Sequence, residues 1–251
     1  MAINSFTFNG QNSLDYGLYV SGNQTFNSAE KDYSKVSVPG RSGDLLIFNN
    51  RYKNVNLNYN AILIDNYEEN AANVRAWLLS ANGYCRLEDT YHPDEFRVAS
   101  FSGPIDFDTK MLEAGETTLT FDCKPQRWLK SGEQKMAVIT PETDGNLKEA
   151  TCTIINPTLF DAKPFIRVYG TKKGRIDIGN TYIIINYFDS GTEYIDIDCD
   201  IMDCYEGAIN RNSNVEIKDG KWPILTPGRN DIKIVSSAIM RIEIIPRWWT
   251  L

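Results

Sequence analysis

One histidine, five cysteines without a C-x-x-C pair, and no apolar run long enough to cross a bilayer set the first limits on this 251-residue chain. With His92 as the single imidazole, a zinc centre of the usual Cys/His kind lacks its ligands. A catalytic triad would have to use that same residue, and Tyr91-His92-Pro93-Asp94 reads as an exposed turn. Walker loops, G-x-G-x-x-G and H-E-x-x-H are missing, and with them the usual warrants for nucleotide and zincin chemistry. A basic excess is missing too. Lys+Arg number 26 against 33 Asp+Glu, net -7, divided as -4 over residues 1–135 and -3 over residues 136–251. A nucleic-acid binder needs a basic face that releases phosphate counterions, and neither half offers one.

The five thiols, an odd number, read as small buried hydrophobes of a protein assembled in a reducing cytosol. A composition of 42% hydrophobic and 24% charged residues is that of a soluble globular protein. Met1–Phe6 shows neither a basic n-region nor an apolar h-region, so export by a signal peptide is not expected. The sequon Asn23-Gln24-Thr25 has little meaning without secretion.

What is present is a rhythm of short strands and turns. Val38-Pro39-Gly40-Arg41-Ser42-Gly43-Asp44-Leu45 is turn chemistry, with Pro39 fixing φ and Gly40 and Gly43 free to take positive φ. After it Val55, Leu57, Tyr59 and Ala61 alternate with Asn54, Asn56, Asn58 and Asn60, the period of a half-buried strand. The expectation is a long hairpin with an exposed tip, its second strand ending near Ile64. Asp65 or Asn66 then caps one helix with Glu68 and Glu69 in its first turn, which lays Ala71, Val74, Trp77 and Leu78 on the sheet and stops at Asn82-Gly83. Strands follow at Tyr84–Leu87, Phe96–Phe101 and Thr117–Cys123, separated by turns at His92–Glu95 and Glu113–Glu116.

Polar and turn-forming residues cluster from Lys130-Ser131-Gly132-Glu133 to Asp144-Gly145-Asn146, which places a domain boundary at about residue 135. Domains 1–135 and 136–251 result. The second shows only strands, Thr151–Ile155, Pro164–Tyr169, Arg175–Ile178, Tyr182–Ile185, Glu193–Cys199, Asn214–Lys218, Asp231–Val235 and Ala238–Ile244, and reads as a sandwich or jelly roll. The fold class is therefore mainly β: a sandwich-like first domain with one α-helix and a protruding β-hairpin, then a β-sandwich.

Two clusters are weighed as sites. Asp196, Asp198 and Asp200 alternate with Ile195, Ile197 and Cys199, so they share one face of a strand. They offer oxygens of the kind calcium takes, but read more simply as a wet outer face. As a glycosidase pair they are poorly placed, same-strand neighbours lying only about 7 Å apart. Trp248-Trp249 would suit a sugar-stacking platform, yet adjacent strand residues point to opposite faces, so core or interdomain packing is favoured, together with Arg127 and Trp128.

The Pro39–Leu45 loop, Arg51-Tyr52-Lys53-Asn54-Val55, Cys123-Lys124-Pro125-Gln126-Arg127-Trp128-Leu129 and Pro246-Arg247-Trp248-Trp249, in that order and across both halves, resemble the distal tail protein of long, non-contractile-tailed phages of Gram-positive hosts. The resemblance implies a non-enzymatic virion protein without cofactor or metal, a galectin-like second domain, and a hexameric ring that joins the tail tube to the tip or baseplate. Implied partners are other copies of the chain, the major tail protein, the tail-associated tip protein, the tape-measure protein and receptor-binding or baseplate proteins. DNA only passes through the lumen and no membrane is engaged. Physically, a ring needs a heterologous interface that closes, and an exposed hairpin supplies one. Subunit contact is thus expected at Val38, Pro39, Gly40, Arg41, Ser42, Gly43, Asp44, Arg51, Tyr52 and Lys53. The alternatives are a carbohydrate-binding module for host-wall glycans and a glycoside hydrolase.

Overall fold

A computed structural model describes residues 3–22, 27–64, 66–111, 114–140, 142–143, 146–147, 149–235 and 238–251. The sequon Asn23–Thr25, the cap candidate Asp65, Glu113 and the Asp144-Gly145 pair lie outside the described residues. The chain is mainly β and divides into two compact units, Met1–Arg127 with Leu251, and Trp128–Thr250.

In the first unit the strands lie in the order Gln11–Asn12, Phe6–Phe8, Cys85–Asp89, Glu95–Ser100, Ala114–Leu129, Val55–Ile64 and Leu18–Ser21. The Asn-alternating strand pairs antiparallel with the long strand, Val55 opposite Cys123 through to Ile64 opposite Ala114. Its Val55, Leu57, Tyr59, Ala61 and Leu63 are buried and its asparagines exposed, as the period of two requires. Tyr67–Ser80 is an α-helix that buries Ala71, Val74, Trp77 and Leu78. Trp77 stacks on Phe6 and Tyr16, at 5.6 and 4.7 Å between ring centres, and donates its indole N–H to the Phe8 carbonyl at 3.2 Å. A buried aromatic with its one donor satisfied contributes fully, and Trp77→Ala would cost about 3–5 kcal/mol.

The helix ends depart from expectation. Asn66 lies at the cap in the left-handed region, φ 40°, and its side chain caps nothing, while its carbonyl accepts from Asn70 N at 2.9 Å. The last turn closes before Asn82-Gly83, where Ser80 donates to the Trp77 carbonyl and Ala81 is extended.

The second unit is built chiefly from two antiparallel sheets. One contains Met136–Ile139, Ile239–Ile245, Phe165–Gly170, Tyr194–Asp198, Asp203–Glu206 and Ile209–Asn210, and the other Ala150–Asn156, Gly228–Ile234, Gly174–Ile178, Thr181–Ile185 and Val215–Ile217. Isoleucines from both, among them Ile166, Ile176, Ile183, Ile197, Ile232 and Ile244, form one core with Trp248. The division between the units falls at Arg127/Trp128 rather than near residue 135, because the polar Lys130–Glu133 turn is part of this core's lining. Gly132 is buried against Trp248, where a Cβ would stand 2.3 Å from the Trp248 nitrogen. Leu129 N donates to the Trp248 carbonyl at 2.9 Å, and Arg247 N to the Gly132 carbonyl at 2.8 Å.

Candidate functional site

Among the described residues Lys31–Val36 and Leu45–Tyr52 pair only with each other, forming a two-stranded ribbon outside the main sheet. The hairpin's second strand is therefore Leu45–Tyr52 and not the Asn-alternating strand, which sits in the main sheet. The tip is as its residues dictate. Arg41 N donates to the Val38 carbonyl at 3.1 Å across Pro39-Gly40, Gly40 at φ 78°, the arrangement of a type II turn. Gly43 also has positive φ, 84°, and Val38, Pro39, Gly40, Arg41, Ser42, Gly43 and Asp44 are all exposed. At the base Arg51 Nε lies 2.6 Å from Asp32, holding that carboxyl below its ordinary range, and Tyr52 is opposite Lys31. Lys53 N donates to the Glu30 carbonyl at 2.8 Å.

Sequence reasoning missed the part of the ribbon that matters most. Tyr33, Val36, Val38, Leu45, Leu46, Ile47 and Phe48 are all large apolar side chains left exposed, Leu46 at 56% and Ile47 at 48%. Register sorts them onto two faces: Tyr33 opposite Phe48 and Lys35 opposite Leu46 on one, Ser34 opposite Ile47 and Val36 opposite Leu45 on the other. The signal was the unbroken run Leu45-Leu46-Ile47-Phe48, since four consecutive apolar residues on a strand make both of its faces apolar.

Other expected sites are placed as follows. Asp196 and Asp198 are only 3% and 6% exposed, so the face they share is not wet. Arg167 grips Asp196 with two bonds of 2.6 and 2.8 Å, Arg247 grips Asp198 with two of 2.7 and 2.8 Å, and Lys163 reaches Asp200 at 3.1 Å. Burial works against ionisation of Asp198, but Arg247 and the Asp200 and Ile201 N–H groups win and hold its carboxyl below the ordinary range. Among the described residues no cluster of three metal-ligating side chains is present. Trp248 is in the second core, Trp249 stacks on Phe160 at 4.5 Å, Trp128 is half-buried, and Arg127 pairs with Glu95 at 2.6 Å.

His92 is half-buried rather than exposed. Asp89 takes its backbone N–H at 2.8 Å, lies 3.4 Å from its ring, and also accepts from Tyr59 at 2.6 Å. Cavities beside this cluster measure only about 10 and 20 Å³, one water's worth, which leaves no room for a substrate. The five thiols are free, and burial pushes Cys123 and Cys204 up to about 12.

The outer face of the first unit's sheet is polar. Thr118 and Thr120 donate to Asn60 and Asn58 at 3.0 and 2.8 Å, and Asn54 donates to Asp122 at 2.9 Å. Neither Val55–Ile64 nor residues 114–122 contain a Lys or Arg. A groove of about 600 Å³ opens on this face, lined by Asn60, Thr118, Thr120, Asp106, Asp108 and Glu116 among others.

Compared with solved structures, the chain matches the crystal structure of SPP1 Dit (gp 19.1), described as a paradigm of the hub adsorption apparatus in Gram-positive infecting phages, with a TM-score of 0.75 over 100% of both chains. The fold is that of the SPP1 hub protein. Sequence identity is 14%, so the likeness is one of fold, carried end to end through both units. No protein-family model and no curated protein sequence matches the chain.

Proposed function

We propose that this chain is a structural subunit of a phage tail tip, a virion protein that closes into a hexameric ring and joins the end of the tail tube to the adsorption apparatus. The observation that carries the reading is the ribbon Lys31–Tyr52, which exposes seven large apolar side chains and whose strands pair with no other strand among the described residues. A two-stranded ribbon is marginal by itself in water, and an apolar patch of this size marks an interface. Full burial of one such side chain is worth about 1.5–3 kcal/mol, so covering seven that are roughly half exposed supplies on the order of 5–10 kcal/mol per contact. That is comparable with the about 4–15 kcal/mol that association costs, and contacts that close a ring reinforce one another.

In this reading the first unit forms the ring and the second, galectin-like, faces outward to baseplate or receptor-binding proteins, while the ring's ends meet the major tail protein and the tail-associated tip protein. The tape-measure protein and then DNA pass through the lumen. We assign the Asn/Thr face to that lumen because its hydroxyls, amides and carboxylates outnumber its cation, Lys124 beside Tyr84 and Asp122, a surface that lets phosphates slide past. The chain acts here as scaffold and not as enzyme, and host cytoplasm is where it assembles. Light scattering on the purified protein tests the reading: six copies of 28.5 kDa, about 171 kDa, are expected, and a monomer at tens of micromolar would overturn it.

A further inference from the structure

We infer that the hairpin is buried on both faces by other copies of this chain, so that it is an insert gripped from two sides and not a flap laid on one neighbour; this rests on the ring proposed above. The register carries it. Cross-strand pairing puts Tyr33, Leu46 and Phe48 on one side of the ribbon and Val36, Leu45 and Ile47 on the other, three large apolar residues each. A ribbon lying on a single surface needs one apolar face and wets the other, and alternation of apolar with polar residues is how a sequence writes that. Leu45–Phe48 does not alternate, and each of these six side chains stays 37–56% exposed in the isolated chain.

Charge selects the occupant. Lys31–Tyr52 contains four Lys and Arg against two Asp, net +2, in a chain of net -7, so the remaining residues carry -9. A basic ribbon from one copy and the acidic remainder of the next attract each other, and the same ribbon repels a second ribbon. Like charge argues against two hairpins stacking on one another and for each being received by the bodies of neighbouring copies.

Adjacent residues make the test. Leu46→Glu charges the Tyr33/Phe48 face and Ile47→Glu the Val36/Leu45 face, at positions exposed enough that the subunit itself should keep its circular dichroism and melting temperature. The mass of each variant is measured by light scattering across 1–100-fold dilution beside the unaltered protein. Both variants are expected to fall apart to monomers, with the midpoint of assembly moved at least about 100-fold to higher concentration. If either assembles as the unaltered protein does, its face is not covered by another copy and is left for a different tail component, which overturns the inference while the ring stands. An unaltered protein that is monomeric sinks the ring itself.

Discussion

Arg247 should be among the residues the second unit can least spare. It sits at φ 59°, follows buried Pro246, and sends both terminal nitrogens to Asp198 at 2.7 and 2.8 Å. Arg247→Ala keeps a non-glycine residue in the left-handed region, so it removes the pair without changing backbone strain as a glycine would. The carboxylate, 9% exposed with the pair intact, is then left with only the Asp200 N–H at 3.0 Å and the Ile201 N–H at 3.5 Å. Breaking a fully buried pair costs about 3–5 kcal/mol. The guanidinium here is 29% exposed, which lowers the expectation to about 2–4 kcal/mol. For a unit of this size that is a fall of roughly 10 °C in the second unit's melting temperature. Calorimetry on Arg247→Ala, Asp198→Ala and the double variant should give a coupling of about 1.5–3 kcal/mol, the double costing less than the two singles added. A single-variant loss under about 0.5 kcal/mol would refute the reasoning.

Further expectations concern acid, DNA, packing and separability. Asp198 and Glu243 both titrate below their ordinary ranges when folded, so their contribution is present above the unfolded pKa and lost as pH falls through the folded one; acid titration should unfold the second unit below the usual carboxylate range, with a shallower pH dependence in Asp198→Asn. The assembled protein should not be retained on DNA at about 0.15 M salt, whereas Asn58→Lys/Thr120→Lys should bind in a salt-dependent way; retention of the unaltered protein would contradict the lumen assignment. Gly132→Ala forces a Cβ onto the Trp248 backbone and should cost about 2–4 kcal/mol of second-unit stability by denaturant titration. A chain ending at Arg127 keeps the first core, the helix and the hairpin, and is expected to fold and assemble; one ending at Lys135 should be less soluble, because Leu129 loses the second core it packs against.

Local periodicity made much of the fold readable. The Asn-alternating strand, the Ala71/Val74/Trp77/Leu78 face and the second unit's isoleucine strands each announce a buried side within a few residues. What escaped depends on distant partners. Asp196 and Asp198 look like a wet face until Arg167 and Arg247, 29 and 49 residues away, close over them. Lys130–Glu133 looks like a linker until Trp248 arrives to bury Gly132. The tip of the candidate site was legible as turn chemistry, but its two apolar faces were not, because Leu45–Phe48 matches neither a one-sided strand nor any buried core of its own chain.

The central claim is that the hairpin holds the ring together. Native mass spectrometry of the unaltered protein beside a chain in which residues 33–48 are replaced by a short Asn-Gly turn tests it directly. Six copies for the first and one for the second are predicted, and the same assembly state for both would contradict the account.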